Sequence, residues 1–251
     1  MDNIIKNLVI EYLNKYKLCL YLEGLISAGK STFCKSVEHY LNKNGINFNN
    51  YPEPINDKLL NLFYSDMKTH AFSFQSITIR ERVHLINNAY NFLHNKNKGL
   101  VLIDRSCLGD CAFALMHYKS NNISDEQFIV YADLAKPFKN NKSKDIKKTV
   151  VNLDCTPNKA RERLIQRGKI NEMDSCSIVY LNDLKNSYNQ VFTQQGTIKE
   201  SNIIKEIYNS MDISVDNIIN IDYNIDHKLI NGILSEETTF KILYEVISNM
   251  H

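Results

Sequence analysis

Gly24-Leu25-Ile26-Ser27-Ala28-Gly29-Lys30-Ser31-Thr32 satisfies the pattern GxxxxGK[ST], residue types and a spacing that suit one chemistry. Glycines let a backbone wrap closely, so its N–H groups can point at phosphate oxygens. The lysine then neutralises β/γ charge, and the hydroxyl after it can ligate Mg²⁺. The residues expected to bind the nucleoside triphosphate are Gly24, Ile26, Ser27, Ala28, Gly29, Lys30, Ser31 and Thr32. Their setting agrees. The apolar run Leu18 to Leu22 precedes them, and Phe33, Val37, Tyr40 and Leu41 follow at helical spacing until Gly45.

Three further clusters supply the rest of a phosphoryl-transfer inventory: a base, a Mg²⁺ ligand and cations for the spreading charge. In Tyr51-Pro52-Glu53-Pro54-Ile55 a carboxylate sits in a proline-stiffened segment. Asp104-Arg105-Ser106 places a carboxylate beside a guanidinium, just past the apolar run Leu100 to Ile103. Arg161, Arg163, Arg167 and Lys169 make a basic helix start, with Arg163 and Arg167 on one face by i,i+4 spacing. No LSGGQ-type or NKxD segment is present, which sets transport ATPases and GTPases aside.

These residues need a scaffold, and short apolar runs alternating with helical patterns provide it. Strands are expected at Leu18–Leu22, Phe48–Tyr51 (the weakest), Leu100–Ile103, Thr149–Leu153 and Ile218–Ile221. Helices are expected around Leu59–Phe63, Ile79–Leu93, Phe128–Leu134, after Thr156-Pro157, and around Ile178–Val191 and Ile203–Met211. A final one carries Phe240, Leu243, Ile247 and Met250. Strands alternating with helices imply an α/β fold: a five-stranded parallel sheet with helices on both faces, in a single domain over 1–251. The polar run Lys139 to Lys144 reads as a solvated loop.

Composition limits the partners. Lys+Arg 30 against Asp+Glu 28 gives a net charge of +2, no reason to expect nucleic acid or a membrane surface. No apolar run approaches the roughly 20 residues of a membrane span. The N-terminal residues carry no signal-peptide core, and the six cysteines form no CxxC pair. Buried, reduced thiols in a cytoplasmic protein are the expectation.

With these motifs in chain order, the sequence resembles the deoxynucleoside kinases of the deoxycytidine/deoxyguanosine/deoxyadenosine kinase type. The matching text is Glu23-Gly24 through Thr32, Glu53-Pro54, Phe74-Gln75, Asp104-Arg105-Ser106, Arg163-Leu164-Ile165-Gln166-Arg167-Gly168-Lys169 and Tyr180-Leu181-x-x-Leu184. The resemblance implies a P-loop kinase fold with a helical lid at about 161–176, ATP and Mg²⁺ as cofactors, a deoxynucleoside as substrate and a homodimer. It implies that Glu53 is the base for the 5′-hydroxyl, with Arg105 holding the 5′ end and Lys30 on the phosphates. Gln75 would bond the nucleobase, and Tyr64 with Glu172 would hold the 3′-hydroxyl. Ser31 and Asp104 would organise Mg²⁺, and Arg163, Arg167 and Lys169 would clamp ATP. Arg82, seven residues after Gln75, and Asp110, four after Ser106, form the pair that such enzymes use for deoxyadenosine, deoxyguanosine or deoxycytidine rather than thymidine.

The chain departs from the family pattern in places. It has no Trp, and Lys58 stands where one usually follows the Glu-Pro segment. Lys169 replaces an arginine and offers no bidentate fork. An extra residue falls between Lys169 and Glu172, and Ala114 occupies a position often aromatic, leaving room. The alternatives are a nucleoside monophosphate kinase of the thymidylate type and a nucleotide-binding regulator without catalysis. Pro52 before Glu53 and Ser106 after Arg105 weigh against the first; intact Lys30, Glu53 and Arg105 weigh against the second.

Overall fold

In the computed structural model, residues 3–250 are described except 55, 136–142 and 228. Strands β1 (Lys17–Glu23), β2 (Phe48–Tyr51), β3 (Gly99–Asp104), β4 (Ile146–Asp154) and β5 (Ile218–Asp222) form one sheet in the order β2-β3-β1-β4-β5. Every pairing is parallel. Leu18, Cys19, Leu20, Tyr21 and Leu22 of β1 are all buried, as a central strand covered on both faces must be. The half-buried β2 is an edge strand, which explains its weak apolar pattern.

Helices α1 (Asn3–Lys15), α2 (Lys30–Lys43), α3 (Asp57–Ser65), α4 (Met67–Lys96), α5 (Cys107–Lys119) and α6 (Asp125–Leu134) precede β4. Then come α7 (Pro157–Arg167), α8 (Ile170–Ser175), α9 (Ile178–Thr193) and α10 (Ile198–Met211). A small antiparallel hairpin, β6 (Leu229–Ile230) and β7 (Ile233–Leu234), leads into α11 (Glu236–Ser248). All five strands of the sheet lie where the sequence places them.

Local chemistry sets the helix starts that matter for the site. Ser106 caps α5, its Oγ accepting from Leu108 N at 3.1 Å. Thr156 caps α7 in the same way, with Pro157 at the first helical position. Helix α2 differs. It starts after Gly29, which has φ 108° and no side chain to cap with, so its first N–H groups stay free for an anion.

Helices α1 and α5 and the hairpin are absent from the expected elements, and the last helix ends at Ser248, two residues short of the expected Met250. Ile55 and residues 139–142 of the expected polar loop lie outside the described residues.

Candidate active site

The phosphate loop joins the carboxyl end of β1 to α2. Gly24 has φ 136°, and a Cβ there would stand 2.7 Å from the Leu153 carbonyl oxygen; at Gly29 it would stand 2.7 Å from the Tyr223 ring. Both glycines are therefore required by space as well as by backbone conformation. Lys30 Nζ folds over the loop, donating to the carbonyls of Gly24 (3.3 Å) and Leu25 (3.1 Å). Burial, then the neighbouring Arg105 charge, lowers its pKa from the ordinary lysine value. Ile26, Ser27, Gly29, Lys30, Ser31 and Thr32 line a cavity of about 730 Å³, while Gly24 and the buried Ala28 shape the loop from behind.

The same cavity is lined by Glu53, Asp104, Arg105 and Asp110. Glu53 Oε1 lies 2.8 Å from Arg105 Nε and 3.4 Å from Arg82 Nη2. Burial would raise the Glu53 carboxyl, but Arg105, Arg82 and Lys30 outweigh it and hold the pKa below the ordinary glutamate value. Arg105 sits at φ 70°, a left-handed conformation unusual for a side chain of this size. Its Nη1 donates to the Gly24 carbonyl at 2.9 Å, tying the end of β3 to the phosphate loop.

Gln75, Tyr64, Phe63, Phe74 and Phe113 line the same cavity. Phe63 and Phe74 stack on each other with ring centroids 4.6 Å apart and give this part of the cavity an apolar lining. Arg82 is fully buried and lines none of the cavity. Its Nε and Nη2 donate to the two Asp110 carboxylate oxygens at 3.1 and 3.2 Å, and its Nη1 to the Asp104 carbonyl at 2.5 Å. Despite the cost of burial, Asp110 and Glu53 keep the guanidinium charged and its pKa above the ordinary arginine value. Asp110 thus faces the cavity, and Arg82 reaches it through Asp110.

The segment expected to be a lid comprises α7, Gly168 and α8. Arg163, Arg167, Lys169 and Glu172 all line the cavity. Arg163 Nη1 donates to the Ala28 carbonyl at 3.1 Å, and its guanidinium lies over the Tyr223 ring. Glu172 pairs with Arg167 and with Lys169, the latter at 3.4 Å. Tyr64 and Glu172 share the cavity wall, with the Tyr64 hydroxyl 3.5 Å from Cys176 Sγ. Arg161, from the same basic run, braces this segment: its Nη1 donates to the carbonyls of Met173 (2.6 Å) and Cys176 (3.1 Å).

Asp104 Oδ1 is buried without a hydrogen-bond partner and lines the cavity together with Ser31. One carboxylate, one hydroxyl and the phosphates of a nucleotide suit Mg²⁺, which seldom takes an all-protein cage. No cluster of three metal-binding His, Cys, Asp or Glu side chains occurs among the described residues.

Two residues of the site's framework escaped the sequence reading. Glu23 stands in the sequence only beside the phosphate-loop motif, and Tyr188 only inside the helix expected around Ile178–Val191. The structure places Tyr188 against Arg105 and Glu23 against Tyr188, through contacts spanning 83 and 165 residues that no local pattern announces.

A family profile described as "Deoxynucleoside kinase" matches residues 20–247. The deoxyguanosine kinase of Lactobacillus acidophilus is 30% identical over 115 residues, 46% of either chain, so the match spans under half the length of this curated relative. Two solved structures of the deoxyadenosine kinase from M. mycoides share the fold. The one with bound dCTP gives a TM-score of 0.62 at 19% identity over 92% of this chain and 100% of that one. The one with bound dATP gives 0.63 at 21% identity over 92% and 99%.

Proposed function

The chain belongs to the deoxynucleoside kinase family, and from that premise we propose that it transfers the γ-phosphoryl group of ATP·Mg²⁺ to the 5′-hydroxyl of a deoxynucleoside. The product is the deoxynucleoside 5′-monophosphate, a product of nucleotide salvage. The observation that carries this reading is Glu53, an ionised carboxylate held by Arg105 and Arg82 on the wall of the cavity onto which the phosphate loop opens.

The 5′-oxygen gives its proton to Glu53 as its bond to the γ-phosphorus forms. The bond from that phosphorus to the β–γ bridging oxygen breaks, and ADP leaves. A carboxylate of lowered pKa is a weak base, which suits a loose transition state in which the proton departs late and placement matters more than basicity. Lys30, Arg105, Arg163, Arg167 and Lys169 offset the charge spreading over the transferred group. When bound, Mg²⁺ neutralises phosphate charge; Ser31 and Asp104 would hold it.

Tyr64 and Glu172 hold the 3′-hydroxyl, and Gln75 bonds the base edge. Asp110 is an acceptor with both oxygens already directed by Arg82. Adenine, guanine and cytosine each offer an exocyclic amine to it, whereas thymine has none and brings a 5-methyl instead. The thymine methyl would crowd Asp110 and leave its remaining lone pairs without a ligand donor, so deoxyadenosine, deoxyguanosine and deoxycytidine are favoured over thymidine. The six buried thiols suit the cytoplasm, and a homodimer is the proposed assembly, readable by sedimentation velocity.

Phosphorus NMR of the product tests the regiochemistry. Coupling to the 5′-methylene protons is expected. A 3′-phosphate, or no product from any deoxynucleoside, overturns the proposal.

A further inference from the structure

Behind the cavity wall runs a chain of buried polar groups that the reaction above does not use. Glu23 ends β1 and is fully buried. Its Oε1 accepts from Ser106 N (2.6 Å), Ser106 Oγ (2.6 Å) and Gly109 N (3.1 Å). Its Oε2 accepts from the Tyr188 hydroxyl at 2.8 Å. That hydroxyl itself accepts from Arg105 Nη1 at 2.6 Å. The fit leaves no slack on the α5 side, because a Cβ at Gly109 would come within 2.3 Å of Glu23 Oε2.

The donors and acceptors match along the chain. Three donors saturate Oε1, the single Tyr188 proton goes to Oε2, and an Arg105 N–H goes to the Tyr188 oxygen. The opposite charges of Arg105 and Glu23 therefore stand 3.9 Å apart with a hydroxyl between them. Their attraction in a buried site would draw the guanidinium toward Glu23 if that hydroxyl were missing. With it present, Arg105 Nε stays 2.8 Å from Glu53 Oε1. Ring contacts to Phe113 and Phe192 fix the phenol, and Phe113 also lies under the Arg105 guanidinium.

Resting on the kinase reading, we propose that Tyr188 is a positioning residue for Arg105. Its hydroxyl, backed by Glu23, holds the guanidinium beside Glu53, where the 5′-oxygen meets the transferred phosphoryl group. Tyr188 touches no substrate and acts through Arg105 alone.

Tyr188→Phe keeps the ring and removes the hydroxyl. The expected result is a fall in kcat of about tenfold or more with KM for the deoxynucleoside within about twofold, because Tyr64, Gln75 and Asp110 are untouched. Glu23→Gln breaks the relay from the other end, since an amide N–H then faces the Tyr188 oxygen, and the same split is expected. A role in stability alone would lower Tm and leave kcat per folded molecule unchanged. Thermal shifts read the placement of Arg105 without turnover. Tyr188→Phe should keep the stabilisation given by a deoxynucleoside and lose the extra stabilisation given by its 5′-monophosphate.

A folded variant with kcat within about twofold of wild type, or an unaltered monophosphate shift, overturns the inference. So does failure of both variants to fold, which would make the relay a folding element. A wild-type protein that transfers no phosphoryl group overturns the kinase reading instead, and the monophosphate shift still decides the placement of Arg105.

Discussion

At the scale of single residues, the proposed reaction rests most on Glu53. Glu53→Gln keeps the side chain's shape and removes its capacity to take a proton, so kcat should fall by about 10²–10⁴ while deoxynucleoside binding persists. Steady-state kinetics with a binding titration would separate the two. The pH dependence follows from the same carboxylate. Its pKa lies below the ordinary value of 4.5, so the reactive ionised form is complete above that value and is lost only as pH falls through the lower, folded one. The acid limb of kcat/KM should therefore fall below the ordinary glutamate range, and any stability from this ion pair should be lost in the same direction. Such motif residues were legible because each carries a local signature of type and spacing. Glu23 and Tyr188 were not, because their roles exist only once β1, β3 and α9 meet.

At the scale of elements, the phosphate loop is the most exacting. Gly24→Ala would place a methyl against the Leu153 carbonyl at a backbone angle that side chains rarely adopt. A loss of about 1–3 kcal/mol in stability is expected, read as a drop in Tm, together with loss of ATP binding. The strands were legible because buried parallel strands read as continuous apolar runs. Helix α5 was not, for the opposite reason. Ten of its residues, Cys107 to Ala112 and Ala114 to His117, are buried, so it lacks the alternation of apolar and polar faces that marks a helix. Helix α8 spans only 6 residues, too few to show a period. Its existence rested on the lid motif, and the brace from Arg161 could not be read without the fold.

On the scale of the whole molecule, the topology gathers the site. Parallel strands point their carboxyl ends the same way, so the segments after β1, β2, β3, β4 and β5 all contribute residues to one cavity. The same burial governs the cysteines, which are spread along the chain and all free and buried. Burial pushes the Cys19 thiol up to about 12 and raises those of Cys155 and Cys176 as well. A thiol reagent at neutral pH should leave the native protein largely unlabelled and label six groups once it is denatured; rapid native labelling would contradict the packing around these groups.

Phosphoryl transfer to a deoxynucleoside that offers Asp110 an amine is the step on which the proposed function stands. Its most direct test gives the protein ATP·Mg²⁺ with deoxyadenosine, deoxyguanosine, deoxycytidine, thymidine or thymidine monophosphate as separate acceptors and compares kcat/KM. The highest value is expected for one of the three amine-bearing deoxynucleosides, with thymidine well below. Turnover of the monophosphate alone, or thymidine as the best acceptor, would contradict it.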